Sequence, residues 1–518
     1  MASKFPTESA FSARWLAIFM AALASAACSS SDTVASRAQA DAAVDSAGGA
    51  PTSGDVDAGP LPTLAGPITG GSTGKPFTAS VLDLKSVGYV EEEYFLEGDA
   101  SAYGYRGTPG MDGAWSVDVT GTAHYKTRIL VRRPTDASKF NGTVFVEWLN
   151  VSAGIDADPE FVFGHAELLR SGFAYVGVSA QAQGVIGGGF SLVAGTKPLV
   201  QTDPERYGSL MHPGDDYSYD IFTQAARVLR HPGAVRPLGN LKPHYFLADG
   251  ESQSAFRMVT YVDAVQPVSH AFDGFLIHSR ASGGAPLSSG MDPTAIVGGP
   301  ASALIRDDLD VPVLQFETET DVLGLAILGG FAAARQPDTS KLRSWEIAGT
   351  SHADRYLMTA EVPAGGLGDA GAPVAAVNCP DVNSGPQHWV LDTAIRAVQA
   401  WMKSGALPAS GAELTLTEGG TGYAHDEFGN ALGGIRTAAV DVPIATYSGQ
   451  GDPSNILCAL FGSTTPFSPA KLAKLYPTHD DYVTKVVAAT AKAEQAGFIL
   501  ADDAPLIQTE AESANIPE

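Results

Sequence analysis

Apolar runs of strand length recur through the middle of the chain, at Thr143 to Trp148, Ala174 to Val178, His244 to Ala248, Phe272 to His278 and Val311 to Phe316. Segments of helical period lie between them, for example Tyr219 to Leu229 and Gln253 to Val265. A strand with no polar face must be covered on both sides, so this alternation predicts an α/β fold with a mostly parallel central sheet flanked by helices. Upstream, from about Phe77 to Pro134, runs such as Trp115-Ser116-Val117-Asp118-Val119 and Thr127-Arg128-Ile129-Leu130-Val131 alternate between glycine turns. They predict additional N-terminal strands, antiparallel, at the sheet edge. Beyond Ala348 the alternation weakens into a helix from Gln387 to Lys403, a Gly- and Thr-rich segment, and renewed helical period from Pro469 to Gly497. No repeat of fixed period is present.

Length and charge narrow the function. The 518 residues suit one large catalytic domain with additions. Apolar residues make up 44% of the chain, enough for a sizeable core. Lys and Arg number 32 against 57 Asp and Glu, a formal net charge of -25. Such an acidic surface repels phosphate backbones and anionic headgroups, so nucleic acid is not an expected partner.

The first residues read as an export signal spanning 1–27. Lys4 and Arg14 precede an apolar run from Trp15 to Met20 that continues through alanines to Ala27 and stops at Cys28. The run is too short to span a bilayer as a helix. Cleavage at a small-x-small site around Ala24, Ser25 and Ala26 would give a periplasmic or secreted protein. Lipoprotein processing would instead leave Cys28 as a lipidated N-terminus, because Ser25-Ala26-Ala27-Cys28 resembles a lipobox with Ser25 in the usual Leu position. Any membrane association is expected through that anchor alone. The Ala-, Asp-, Gly- and Ser-rich stretch over 28–62 reads as a flexible tether. Cys379 and Cys458 then remain as an even pair, for which an oxidising compartment favours a disulfide over two buried thiols.

The chemistry concentrates in His244-Tyr245-Phe246-Leu247-Ala248-Asp249-Gly250-Glu251-Ser252-Gln253-Ser254, where a buried strand runs through a tight turn into a helix. A nucleophile elbow needs small residues two before and two after its serine, and Gly250 and Ser254 satisfy that in a G-x-S-x-S variant. The competing reading makes Ser252 a plain helix cap. A serine hydroxyl needs a base and a group that orients the base. Val311 to Phe316 is a late strand followed by Glu317-Thr318-Glu319-Thr320-Asp321, which offers Asp321 as the acid with Glu319 as its competitor. Downstream, Gly349-Thr350-Ser351-His352 follows a strand and a glycine turn, so His352 is the expected base. His278 ends a strand but precedes the acid, whereas His124, His165, His212, His231, His425 and His479 lie in turns or polar segments. An oxyanion needs two backbone donors, here Gln253 and, after the Val146-Glu147-Trp148 strand, Val151 with Asn150 or Ser152 as alternatives.

Several of these stretches together resemble a bacterial family of alpha/beta hydrolase domain-containing proteins. They are Gly250-Glu251-Ser252-Gln253-Ser254-Ala255, Phe272-Asp273-Gly274-Phe275-Leu276-Ile277-His278-Ser279-Arg280, Glu319-Thr320-Asp321, Gly385-Pro386-Gln387-His388-Trp389, Gly429-Asn430-Ala431-Leu432-Gly433-Gly434-Ile435-Arg436, and Leu475-Tyr476-Pro477 with Tyr482. The likeness spans roughly Phe77 to Ile507 and implies one hydrolase domain over 77–507 that includes the C-terminal extension. It implies the α/β-hydrolase fold, a Ser-His-Asp triad and esterase or hydrolase activity. It leaves the substrate open.

The expectation is therefore an exported serine hydrolase that cleaves small carboxylic esters through an acyl-enzyme, with no cofactor. Its rivals are the same fold acting on amides or lactones or as an acyltransferase, and a non-catalytic surface binding protein. Gly70-Gly71-Ser72-Thr73-Gly74-Lys75-Pro76 fails as a phosphate loop, because the glycine spacing is wrong and Pro76 replaces the magnesium-binding hydroxyl. No H-E-x-x-H or C-x-x-C supports a zinc site, and Asp156 with Asp158 and Asp215 with Asp216 offer surface carboxylates for calcium but read first as solvated acidic loops. Insertions at Gln181 to Gly214 and Ala353 to Gly385 are expected to wall the substrate pocket.

Overall fold

The computed structural model describes residues 59–189, 191–193, 195–288, 302–325, 328–360, 379 and 381–516. The expected signal peptide, Cys28, the tether up to residue 58 and much of the second pocket insertion lie outside the described residues.

Nine strands form one sheet: β1 (Thr63–Ala65), β2 (Tyr89–Tyr105), β3 (Val117–Pro134), β4 (Thr143–Trp148), β5 (Ala174–Val178), β6 (Tyr245–Glu251), β7 (Gly274–His278), β8 (Val313–Thr318) and, after the short pair β9 (Gly324–Leu325) and β10 (Leu328–Gly329), β11 (Leu342–Ile347). Their order across the sheet is β1-β2-β3-β5-β4-β6-β7-β8-β11. Strands from β5 to β11 run parallel, and β1, β2 and β3 add antiparallel strands at one edge. β4, β5, β7 and β8 are buried along their whole length, as a sheet covered on both faces requires. One face presents Val146, Val176, Ala248 and Ile277 to Phe222, Met258 and Tyr261. The other packs Phe145, Leu247, Leu276 and Leu314 against Phe161, Leu391 and Ile395.

Where bounds depart from the sequence expectation, the causes are local. β8 starts at Val313 because Pro312 has no N–H for the ladder. β6 runs on through Asp249, Gly250 and Glu251, held in register with Leu276, Ile277 and His278. β2 and β3 form one long hairpin where short separate strands were expected. Their polar positions pair inside it: buried Arg128 meets Glu93 at 3.1 Å and buried Arg132 meets Glu91 at 2.8 Å. The helix after β6 ends at Thr260 and widens into a π-type turn over Tyr261–Val265. The tail splits into Pro469–Leu475 and His479–Gln495 around Pro477, and a further helix spans Ala504–Ser513.

The Gly- and Thr-rich segment yields β12 (Ala445–Ser448), antiparallel to β13 (Ser463–Pro466), and a single parallel bridge joins Ile435 to Ile347 of β11. A disulfide joins Cys379 to Cys458. Among the described residues no helix is long and apolar enough to cross a membrane. The loops leaving the C-terminal ends of β6, β8 and β11 gather at one rim of the sheet, where parallel α/β sheets expose side chains for chemistry.

Candidate active site

Ser252 sits on the bend between β6 and the Gln253–Thr260 helix, with φ 59° and ψ -120°. A non-glycine residue there is strained by roughly 1–3 kcal/mol, so the bend persists only because its surroundings enforce it. The Ser252 N–H donates to His278 O at 2.9 Å, which fastens the bend to the neighbouring strand. Gly250 shows why small residues are needed: a Cβ there would lie 2.7 Å from Ser254 O and 2.8 Å from Met258 Cγ. Ser252 occupies the N-cap position, yet its side chain makes no capping bond. Its Oγ lies 2.7 Å from His352 Nε2 instead.

His352 follows β11 and the Gly349 turn, where φ is +77°. Its backbone N–H donates to Thr320 Oγ1 at 3.2 Å, and its Nδ1 lies 2.6 Å from Asp321 Oδ1. The other Asp321 oxygen is saturated. Oδ2 accepts from Thr318 N at 2.9 Å, Thr318 Oγ1 at 2.5 Å and Ser279 Oγ at 2.7 Å. Oδ1 is thereby left for the imidazole, and the carboxylate fixes the tautomer that donates from Nδ1 and accepts at Nε2. Burial opposes the Asp321 charge, but His352, Thr318 and Ser279 outweigh it and hold the carboxyl below its usual range. For His352, burial pulls downward while the Asp321 charge and hydrogen bond, with the Glu251 charge, raise it to about 9.

The structure thus brings Ser252, His352 and Asp321 together and leaves Glu319 apart. Glu319 accepts the N–H of Gly349 at 2.6 Å and that of Gly449 at 2.8 Å, with burial pushing its carboxyl up to about 7. It ties the histidine loop to the C-terminal extension. The loop bearing Val151 is also anchored at the elbow, since Asn150 Nδ2 donates to Glu251 O at 3.0 Å and to Glu251 Oε2 at 3.1 Å. Asn150 Oδ1 accepts from Ser152 N, and the Asn150 N–H is taken by Ala157 O, so neither alternative amide is free. The N–H groups of Gln253 and Val151 have no acceptor among the described residues.

Three residues beside Ser252, His352 and Asp321 escaped the sequence reading. Glu251 Oε1 lies 3.6 Å from His352 Nε2. Ser279, with φ 60°, braces Asp321 from the end of β7, and Thr318 braces it from β8. Glu251 and Ser279 stand inside motifs singled out in the sequence, but nothing in the letters shows which way they point. Beneath the rim, His278 Nδ1 meets Glu160 Oε2 at 2.7 Å and is fully buried, a structural partner rather than a base. Of the histidines set aside, His124 lies on β3, where it pairs with Asp99 of β2, and His165 lies in the Pro159–Arg170 helix, not in turns.

The acidic pairs also differ from expectation. Asp156 bonds Ser179 Oγ and Asp158 meets Arg132 at 2.5 Å, both buried, while Asp215 meets Arg257 at 3.0 Å. Asp156, Asp158 and Asp215 neutralise buried arginines and are not solvated loops, whereas Asp216 is only half-buried. Among the described residues no group of three or more His, Cys, Asp or Glu is arranged to hold a metal ion.

A family model described as an alpha/beta hydrolase domain matches residues 64–508. No curated protein matches the chain. Among solved structures, the chain is similar to a fungal esterase from Rhizomucor miehei, at 12% identity and TM-score 0.30, over 63% of this chain and 93% of that one. It is similar to an α/β serine hydrolase without lid from Xanthomonas campestris, at 12% identity and TM-score 0.25, over 48% and 83%. A glucuronoyl esterase from Teredinibacter turnerae is similar at 12% identity and TM-score 0.26, over 50% and 62%.

Proposed function

This chain belongs to the alpha/beta hydrolase domain family, which its match over residues 64–508 shows, and from that premise we propose that it is an exported serine hydrolase cleaving carboxylic esters. Ser252 is the nucleophile, His352 the base and Asp321 the acid. The observation that carries the reading is the continuous chain of contacts, 2.7 Å from Ser252 Oγ to His352 Nε2 and 2.6 Å from His352 Nδ1 to Asp321 Oδ1.

In the first half-reaction Ser252 Oγ attacks the ester carbonyl as its proton passes to Nε2. The imidazolium is held by Asp321, and the N–H groups of Gln253 and Val151 receive the oxyanion. The proton then leaves with the alcohol. Water deacylates the enzyme with His352 as base again. The catalytic domain occupies 77–507, following a signal peptide at 1–27 and a tether at 28–62 that begins at lipidated Cys28. The Cys379–Cys458 disulfide supports an oxidising compartment.

Ser252→Ala should abolish turnover of p-nitrophenyl esters while circular dichroism and melting temperature stay as in the parent. A fluorophosphonate should label the parent at Ser252 and leave the variant unlabelled. Retained turnover in the variant rejects the assignment. A panel of esters beside amides and lactones tests the bond cleaved, and palmitate incorporation tests the anchor.

A further inference from the structure

The residue between Gly250 and the nucleophile has no part in the three-residue relay, yet it is buried beside it. Glu251 Oε1 stands 3.6 Å from His352 Nε2, on the side of the ring opposite the 2.6 Å contact from Nδ1 to Asp321. Its other oxygen accepts from Asn150 Nδ2 at 3.1 Å, so the carboxyl is fixed. Around it stand His278, its register partner on β7, Glu160 from the Pro159–Arg170 helix, Asp321 from the segment after β8, and Asp249 on its own strand. His352 provides its one ion-pair contact among the described residues.

We propose that Glu251 is a second acidic partner of His352, a positioning residue that stabilises the imidazolium formed when Ser252 attacks and so sets the lower end of the pH range in which the base works. The proposal rests on the triad reading above. As the Ser252 O–H bond breaks and the Oγ–C bond forms, the proton arrives at Nε2, the nitrogen nearest Glu251. The imidazolium then has a carboxylate beside each nitrogen, and an opposite charge at this distance favours the protonated ring. Glu251 itself gains no proton in the step. Burial raises its carboxyl to about 7, with the charges of His352 and His278 pulling downward and those of Glu160 and Asp321 pushing upward. Its charge therefore builds up through the neutral range.

The test is Glu251→Gln, which keeps the shape and an oxygen for Asn150. The pH profile of kcat/KM and of fluorophosphonate labelling is measured in the variant and the parent. The acid limb should move to lower pH by about one unit or more, since an opposite charge within about 4–6 Å shifts a titration by that order. The plateau kcat should fall, and Glu251→Asp should return the limb toward the parent. An unmoved acid limb overturns the proposal. If Glu251→Gln does not fold, 15N NMR of the histidine rings in the parent decides. A His352 titration spread over two steps supports the coupling, whereas a single step, at whatever midpoint, overturns it. The triad and Glu251 fail separately. Turnover surviving Ser252→Ala removes the nucleophile, while normal labelling of Glu251→Gln with an unshifted profile removes Glu251 alone.

Discussion

Removing the Cys379–Cys458 bridge should cost stability before it costs chemistry. The cysteines are 79 residues apart in sequence, and closing a loop of that length in the unfolded chain corresponds to about 4.5 kcal/mol at 25 °C in the loop-entropy expression. For a domain matched over residues 64–508, with an unfolding entropy of about 2.1 cal/mol/K per residue, that lowers the melting temperature by about 5 °C. The loss bears on the site because of where the bridge lies. Cys458 is on the Ile456–Phe461 helix, whose last carbonyls accept Ala353 N at 3.1 Å and Ser351 Oγ at 3.3 Å, on either side of His352. Ala353, Val382 and Phe461 close over the same spot with Cys379 packed against them. The assay is calorimetry of the parent and of the Cys379→Ser, Cys458→Ser double variant, alongside ester turnover at 25 °C and after heating. Turnover at 25 °C should persist, because Thr320 and Asp321 still hold His352, and thermal inactivation should shift down with the melting temperature. A double variant that melts with the parent would refute the reasoning.

Asp321→Asn should lower kcat by about 10^4-fold by favouring the wrong imidazole tautomer. Glu319→Gln should keep the chemistry but lose about 1–3 kcal/mol, because its amide cannot accept from both Gly349 and Gly449; kinetics and denaturant melts of both variants check the contrast, and equal losses of kcat would contradict the assignment of the acid. Only the neutral ring of His352 accepts a proton, and its pKa is raised to about 9, so kcat/KM should climb from neutral into alkaline pH. A profile already flat at pH 6 would contradict that environment. Gly250→Ala forces a Cβ against Ser254 O and Met258 Cγ and should destabilise by about 1–3 kcal/mol, read as a lower melting temperature.

The centre of the fold was legible because its strands are apolar on both faces, a pattern that survives without knowledge of neighbours. Thr143–Trp148 and Ala174–Val178 emerge with the expected bounds. The edge was harder to read. Arg128 and Arg132 look like solvent positions until Glu93 and Glu91 are placed opposite them, so one long strand read as pieces. Asp156 and Asp215 misled for the same reason, since their arginines are distant in sequence. At the site, chain order placed the serine, acid and base candidates, but the choice between Asp321 and Glu319 needs side-chain direction. Capping geometry supplies it by turning Asp321 back toward Thr318 and sending Glu319 toward Gly449. Glu251 and Ser279 stayed silent because a carboxylate or hydroxyl inside a motif carries no sign of its partner.

Glu319 also has a bearing on timing. The polypeptide emerges from the ribosome with Ser252, Asp321 and His352 early, whereas Gly449 and the Leu460 and Phe461 carbonyls that moor the His352 loop come late. The loop that carries His352 is therefore expected to be moored last, after the sheet beneath it.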